Sequence, residues 1–232
     1  GWSEIATRTL SLLMGVLSIA MMYRLGIAFH SRRVGMISIL LLSTSVFFIF
    51  YAHEVRGYIQ YLFLTITVLF LYWRQSHQTR LHWTDNILFL VATIMLIYTH
   101  YVALYIVFAI GVYHLLFAPR INQWGKQLRG LMFVGIAYLP WVAIAVLNAI
   151  GETIKDRGLD PITIIETLLH GFSNGLWFIL LILILYSLVF VRNRATMMLV
   201  FCATLFLSAT LITNVLTDFL FHIRHIIGLL PI

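Results

Sequence analysis

The stretch YAHEVRGY, residues Tyr51–Tyr58, holds a carboxylate, a guanidinium, an imidazole and two phenols within eight positions. It lies between two apolar runs, Val34–Phe50 and Ile59–Trp73. A charge at the centre of a membrane-spanning helix costs about 3 kcal/mol, and unpaired polar groups in hydrocarbon are similarly unfavourable. If the flanking runs cross a membrane, this stretch therefore lies at one of the two membrane surfaces.

Two interpretations of this stretch are open on the residues alone. Read as a helical turn, it places Tyr51, Glu54 and Tyr58 on one face, with the carboxylate between two rings. The structural interpretation is an interfacial ion pair of Glu54 with Arg56, or with a group elsewhere, under a belt of tyrosines. The functional interpretation is a catalytic corner, because ionisable groups at membrane level mark functional sites.

The composition predicts an all-α, multi-pass transmembrane helical bundle. Hydrophobic residues make up 62% of the chain and charged residues 10%, with a mean hydropathy of +0.98, whereas soluble domains are about 25% charged. Cytoplasmic loops of membrane proteins are enriched in Lys and Arg, so the net charge of +7 indicates no nucleic-acid partner. A single cysteine, Cys202, excludes an intrachain disulfide.

The apolar runs predict about eight membrane spans within one transmembrane domain covering residues 1–232. They are Thr9–Phe29, Val34–Ala52, Tyr58–Trp73, Ile87–Tyr98, Val102–Phe117, Leu131–Leu147, Gly175–Val191 and Met197–Leu216. Pro140-Trp141 should interrupt the sixth span, because proline removes a backbone hydrogen bond and favours a kink. Asn148–Asn174 is predicted to contain a helix lying in the interface plane. We expect both ends to be cut from a longer protein.

The loops divide by charge into two sets. One set has only Asp85 as an acid and carries the basic residues Arg32, Arg33, Arg74, Arg80, Arg120, Lys126, Arg129, Arg192 and Arg194. The positive-inside rule predicts that this set is cytoplasmic. The other side gathers three polar corners, at residues 51–58, 98–101 and 218–225. The chemistry is therefore expected on the extracytoplasmic face.

The residue types at these corners suit a lipid phosphate that enters from the bilayer. Glu54 and His100 are candidate ligands of a divalent metal ion, the one cofactor that these residue types could hold. Arg and His side chains can equally hold a phosphate through charge-assisted hydrogen bonds. The structural alternative for His100 is a histidine that caps the turn between two helices.

Three motifs resemble a known enzyme family. YAHEVRGY after a span, then LIYTHYVALYIVFAIGVYHLLF, then YLPW is similar to the polytopic glycosyltransferases with the GT-C fold. The likeness is to the bacterial and archaeal protein-mannosyltransferase-like branch, which includes the aminoarabinose transferases of lipid A. That family shows segments like YSQEARGY, YTHY and PW in this order, and the resemblance runs from roughly Arg8 to Pro231.

The resemblance implies an enzyme of the plasma membrane of a bacterium or archaeon. Such enzymes move a sugar from a polyprenyl-phosphate carrier to an acceptor glycan, lipid or protein on the extracytoplasmic face, usually with inversion. Glu54 would be the catalytic residue, orienting the acceptor or holding a metal ion. The residues implied to bind substrate are Tyr51, His53, Arg56, Tyr58, Tyr98, His100, Tyr101 and Arg224.

Two departures from the family pattern are visible. His53 stands where the family usually has Gln, which changes the hydrogen bonds offered to a sugar. The family also carries an acidic motif in its first outer loop, the expected source of the catalytic base, and this chain starts after that point. A catalytically silent relative is therefore a further reading.

A non-enzymatic membrane transporter or lipid flippase is the alternative function. It predicts a polar pathway with ionisable residues at the membrane midplane. The transferase predicts instead that Glu54, Arg56 and His100 converge in one outward-facing cavity with a groove open to membrane lipids.

Overall fold

A computed structural model of the chain describes residues 4–77, 83–118, 124–151, 193–217 and 227–231, with scattered positions between 162 and 186. Across these residues the regular structure is helical and contains no strand, which confirms the predicted all-α class. The long helices are α1 (Glu4–Phe29), α2 (Arg32–Thr44), α3 (Val46–His53), α4 (Tyr58–His77), α5 (Trp83–Thr99), α6 (Ala103–Phe117), α7 (Trp124–Gly151) and α8 (Arg194–Thr217).

Within the described residues, two helices are long and apolar enough to cross a membrane, over Arg8–Phe29 of α1 and Arg194–Thr213 of α8. The bent pair formed by α2 and α3 meets the same criterion if it is counted as one span. These helices support membrane association. Most of the predicted interfacial segment Asn148–Asn174 and of the predicted span Gly175–Val191 lies outside the described residues.

The predicted second span is wrong in one respect, because it consists of two helices bent by 61° at Ser45. The Ser45 N–H donates to the Leu42 carbonyl (3.2 Å) and so ends α2. Its hydroxyl oxygen accepts from the Phe48 N–H (3.4 Å) and so caps α3. Thr44 directs its hydroxyl to the Leu40 carbonyl (2.8 Å). Short hydroxyl side chains compete with the helix for backbone groups, which explains the break.

The sixth span is not broken at Pro140-Trp141, and the kink predicted there stays a prediction. Helix α7 continues through Pro140 to Gly151. A proline within a helix removes the one bond that its missing N–H would make to residue i−4. The remaining bonds of α7 are sufficient to hold the helix together.

Helix α4 lies at the centre of the bundle and packs against α1, α3, α5 and α6. A helix that is apolar on all sides is expected to be buried, and Tyr61, Leu62 and Leu69 of α4 have no exposed surface. The outer helices instead expose large apolar side chains. Val16 on α1 and Met132 on α7 are 65% and 61% exposed. Such surfaces suit lipid better than water.

With α2 and α3 counted together, helices α1 to α7 alternate in direction and α8 runs antiparallel to α6, so each end of the bundle has its own set of termini. At one end, the Trp73 indole donates to the Ala28 carbonyl (3.0 Å) and the Tyr113 hydroxyl donates to the Arg194 carbonyl (3.4 Å). We call this the basic end, because the termini that meet there carry Arg32, Arg33, Arg74, Lys126, Arg129 and Arg194. At the opposite end, α3 turns into α4 and α5 turns into α6.

Candidate functional site

The YAHEVRGY stretch forms a turn between two helices. Helix α3 ends at His53, Glu54 has an extended backbone (φ −73°, ψ 135°), and α4 begins at Tyr58. The expectation that Tyr51, Glu54 and Tyr58 share one helical face is therefore wrong. The chain reverses direction here, and Gly57, a residue with low helix propensity, occupies the turn. The Tyr61 N–H donates to the Gly57 carbonyl (2.8 Å), which starts the first turn of α4.

The two predicted corners at this end meet through an aromatic cluster. The ring centroids of Tyr51 and Tyr58 lie 5.3 Å apart, and those of Tyr58 and His100 lie 5.8 Å apart. Tyr61 stacks on His100 at 5.1 Å with an interplanar angle of 26°, and Tyr101 lies 4.8 Å from the same imidazole. We call these five residues the His100 cluster. Four of them were predicted as site residues, and Tyr61 was missed.

His100 occupies the corner between α5 and α6 and is half-buried. Its Nδ1 accepts a hydrogen bond from the Val102 N–H (3.3 Å), and its carbonyl accepts from the Ala103 N–H (2.9 Å). The predicted structural role as a cap of the turn is therefore present. A neutral imidazole whose Nδ1 accepts carries its proton on Nε2. A substrate-binding role for this residue stays a prediction.

Glu54 places a carboxylate oxygen in a buried position. Its Oε2 is inaccessible to water and has no hydrogen-bond partner among the residues that the structure describes. The predicted ion pair with Arg56 is not formed, and Arg56 is exposed. The turn that carries Glu54 packs on the His100 corner, since a Cβ on Gly57 would lie 3.6 Å from Thr99 Cγ2. A buried acceptor without a partner is unfavourable and calls for a ligand or a functional explanation.

His53 is held by its own helix. Its Nδ1 donates to the Ile49 carbonyl (2.7 Å) in the last turn of α3, and the side chain is exposed. A histidine at a helix C-terminus commonly satisfies a free carbonyl in this way. Only Nε2 of His53 is left to contact a substrate, so a substrate-binding role for this residue stays a prediction.

Tyr98 contacts α7, whereas its neighbour Tyr101 belongs to the His100 cluster. The Tyr98 hydroxyl donates to the Ala137 carbonyl (2.8 Å). Its ring lies 5.9 Å from Tyr138 and 6.5 Å from Trp141. The structure thus gives Tyr98 a role in joining α5 to α7, and its predicted place in a substrate pocket stays a prediction.

The turn at residues 227–229 packs against Tyr61 of the His100 cluster. A Cβ on Gly228 would lie 2.6 Å from Tyr61 Cζ and 2.9 Å from Ile106 Cδ1, so only glycine fits. Ile227 is completely buried. The contribution of Gly228 was missed. Arg224, the predicted phosphate ligand, lies outside the described residues.

The metal prediction rests on two side chains only. Between residues 4 and 231, within the portions the structure describes, no three His, Cys, Asp or Glu side chains are grouped as a metal site. Glu54 and His100 would therefore supply at most two protein ligands from this region. Their role in holding a divalent ion stays a prediction.

Comparison with known proteins gives no family: no protein-family model matches the chain, and no match is found among curated proteins or solved structures. The resemblance therefore rests on its three motifs, and these do converge in space. YAHEVRGY contacts YTHY through Tyr58 and His100, and YTHY contacts YLPW through Tyr98 and Trp141. Function has to be argued from this site, because a helical bundle by itself implies none.

Proposed function

We propose that this protein is a membrane glycosyltransferase with a GT-C-like, eight-span fold. It moves a sugar from a polyprenyl-phosphate carrier to an acceptor, with inversion. By the positive-inside rule the basic end is cytoplasmic, and the His100 cluster then lies at the extracytoplasmic face. Membrane lipids surround the exposed apolar side chains, and the lipid-linked donor approaches from the same medium.

The proposal rests on one observation, the buried and unpartnered Oε2 of Glu54 in a turn that packs against the His100 corner. A carboxylate with one poorly solvated oxygen, in a turn that packs on the corner holding His100, is a candidate for acid–base work. Because Oε2 is inaccessible to water, an acceptor hydroxyl that supplies this missing hydrogen bond has to displace the side chains that cover the oxygen.

Each residue of the site has its own role in the proposed sugar transfer. The acceptor oxygen forms a bond to the anomeric carbon, the bond from that carbon to the phosphate oxygen breaks, and the lipid phosphate leaves with the electron pair. The hydroxyl proton passes to a carboxylate, and Glu54 is the candidate. The guanidinium of Arg56 and the side chain of His100 face the leaving phosphate and stabilise its negative charge. The rings of Tyr58 and Tyr101 contact the sugar.

The transporter alternative lacks a comparable observation. The only Asp, Glu, Lys or Arg among the buried residues that the structure describes is Asp85, at the basic end, where it pairs with Arg74 (3.5 Å). The buried hydroxyls of Thr65 and Thr93 donate to carbonyls of their own helices (2.9 and 2.6 Å). Transport pathways instead place ionisable groups at the midplane.

Turnover of a labelled donor tests the proposal. The purified protein in nanodiscs is incubated with radiolabelled polyprenyl-phosphate sugars and candidate acceptors, and loss of lipid-linked sugar is followed with time. The Glu54→Gln variant keeps the shape of the side chain but cannot take a proton, so we expect a loss of about 100-fold or more. Arg56→Ala should lower turnover by about 10- to 100-fold, since one charge at the leaving phosphate is lost.

Matched controls separate chemistry from folding. Glu166→Gln makes the same change at an exposed position, and Arg32→Ala removes an exposed cation at the basic end; both should retain turnover. Equal turnover by the wild type and Glu54→Gln would show that Glu54 has no catalytic role. Absence of turnover with every donor, in the complete gene product that stays folded and monodisperse, would refute the transferase.

A further inference from the structure

The basic end contains a cavity of about 290 Å³ between α4, α5 and α7, at the end of the bundle opposite the His100 cluster. Its wall includes Gln75, Asn86, Lys126 and Arg129, together with apolar side chains such as Leu90 and Phe133. Nothing in the proposed sugar transfer uses it. We propose that this cavity binds the phosphate headgroup of an anionic membrane phospholipid.

The charge of the cavity favours an anion. Lys126 and Arg129 are three positions apart on α7, which places both on the same face of the helix. Both side chains are exposed, so neither is packed into the interior of the bundle. Asp85, the acid nearest in sequence to the lining residue Asn86, is paired with Arg74 at 3.5 Å. The two cations therefore give the cavity a positive charge.

Part of the cavity wall is already fixed by its own hydrogen bonds. The Gln75 amide donates to the Asp85 carbonyl (2.8 Å), and the Gln127 amide donates to the Ser76 hydroxyl (3.3 Å). These bonds hold α4 against α5 and α7 without drawing on Lys126, Arg129 or Asn86. A headgroup would meet a wall whose shape is set before binding, which lowers the entropic cost of binding.

The surroundings of the cavity favour a lipid over a free anion. Phe133 lines the cavity and is 55% exposed, and the next outward-facing residues along α7, Ile136 and Leu139, are 61% and 60% exposed. An acyl chain can follow this apolar strip while its phosphate stays at Lys126 and Arg129. Basic pockets between membrane helices on the cytoplasmic side bind anionic headgroups in this manner.

Lipid retention measured by native mass spectrometry tests the inference. Purified protein in detergent is incubated with phosphatidylglycerol or with phosphatidylcholine of the same acyl chains, and the bound lipid is counted. We expect preferential retention of phosphatidylglycerol. The double variant K126Q/R129Q should lose this preference by about 30-fold, the order expected for two basic residues near an anionic headgroup.

The matched control is R32Q/R33Q, which removes two exposed charges from the same end away from the cavity. It should keep the preference, and an equal loss would overturn the site in favour of general surface attraction. Asn86→Phe keeps both cations but fills the cavity, so it should also weaken retention; unchanged retention would overturn the cavity as the site.

A competition experiment distinguishes a lipid headgroup from free inorganic phosphate as the ligand of the cavity. Inorganic phosphate in millimolar excess should leave bound phosphatidylglycerol in place, because it cannot replace the acyl contacts. Release of the lipid by inorganic phosphate would overturn the lipid assignment and identify a site for a free anion. Donor turnover is not the readout here, so failure of this inference leaves the transferase proposal untouched.

Discussion

Tyr61 of α4 stacks on His100 of the α5–α6 corner, with ring centroids 5.1 Å apart and planes inclined by 26°. The phenol is completely buried, and its hydroxyl has no hydrogen-bond partner in the described part of the chain. The contact therefore joins the central helix to the candidate site through ring packing and not through a hydrogen bond.

Two substitutions at Tyr61 should have opposite consequences. Tyr61→Phe keeps the stack and removes an unsatisfied polar group, so stability should be unchanged or higher by about 1 kcal/mol. Tyr61→Leu loses the stack and leaves a void, so stability should fall by about 2–4 kcal/mol. Thermal unfolding in detergent measures both. Equal destabilisation by Tyr61→Phe and Tyr61→Leu would show that the Tyr61 hydroxyl makes a stabilising hydrogen bond.

The close approach of Gly228 to Tyr61 gives a second prediction. Gly228→Ala introduces a Cβ 2.6 Å from Tyr61 Cζ and 2.9 Å from Ile106 Cδ1, and should destabilise the protein by about 1–3 kcal/mol. In a Tyr61→Phe background the loss should be smaller, because the hydroxyl oxygen is the nearest clashing atom. A double-mutant cycle on unfolding temperatures measures the difference. Strict additivity would show that the turn at 227–229 does not press on Tyr61.

The crossing of α1 and α2 depends on a pair of glycines. A Cβ on Gly26 would lie 2.7 Å from Gly35 Cα, and a Cβ on Gly35 would lie 2.9 Å from the Tyr23 carbonyl oxygen. Gly26→Ala or Gly35→Ala should cost about 1–3 kcal/mol because backbone has to move. Gly135→Ala on α7 is the control, since no atom lies within 4 Å of its Cβ. Alanine there should be neutral or stabilising by up to about 1 kcal/mol.

Equal unfolding temperatures for the Gly26 and Gly135 variants would contradict this close crossing. The comparison is informative because both substitutions add the same methyl group to a helix. Any difference between them then reflects the space available and not helix propensity.

The break at Ser45 should be sensitive to its hydroxyl. Ser45→Ala removes the cap that accepts from the Phe48 N–H (3.4 Å) and should lower stability by about 1 kcal/mol. Ser45→Asn should keep most of this stability, because an asparagine side chain can also cap the start of α3. Ser43→Ala removes only a bond to the Leu40 carbonyl (3.2 Å) within α2 and serves as the control. A larger loss from Ser43→Ala than from Ser45→Ala would assign the bend to another cause.

Much of the fold follows from the sequence because apolar run length determines where helices lie. The run before Arg32 and the corner at Thr99–Tyr101 were placed within a few residues of the observed ends of α1 and α5. The helix break at Ser45 could not be predicted in this way, because a single serine in an apolar run is a weak indication of a break. Pro140 predicts an interruption, but the helix continues through it, because a long helix tolerates the loss of one bond.

The candidate site was predictable in its residue types but not in its geometry. Residues 51–58 and 98–101 carry the polar groups, so they could be named from the sequence. Tyr61 follows Tyr58 by three positions and would share its face of α4, a signal that was available. The proximity of Gly228 depends on tertiary packing across more than half of the chain, and local pattern carries no such information.

Helix α4 is enclosed by helices that come both before and after it in the chain. During synthesis, α1 and α3 are present when α4 is complete, whereas α5 and α6 have yet to emerge. The side of α4 that faces these later helices, which includes the Tyr61 ring that receives His100, stays uncovered until the ribosome has passed residue 117. The candidate site is therefore assembled late, and a pause in translation before α6 would leave its central helix half covered.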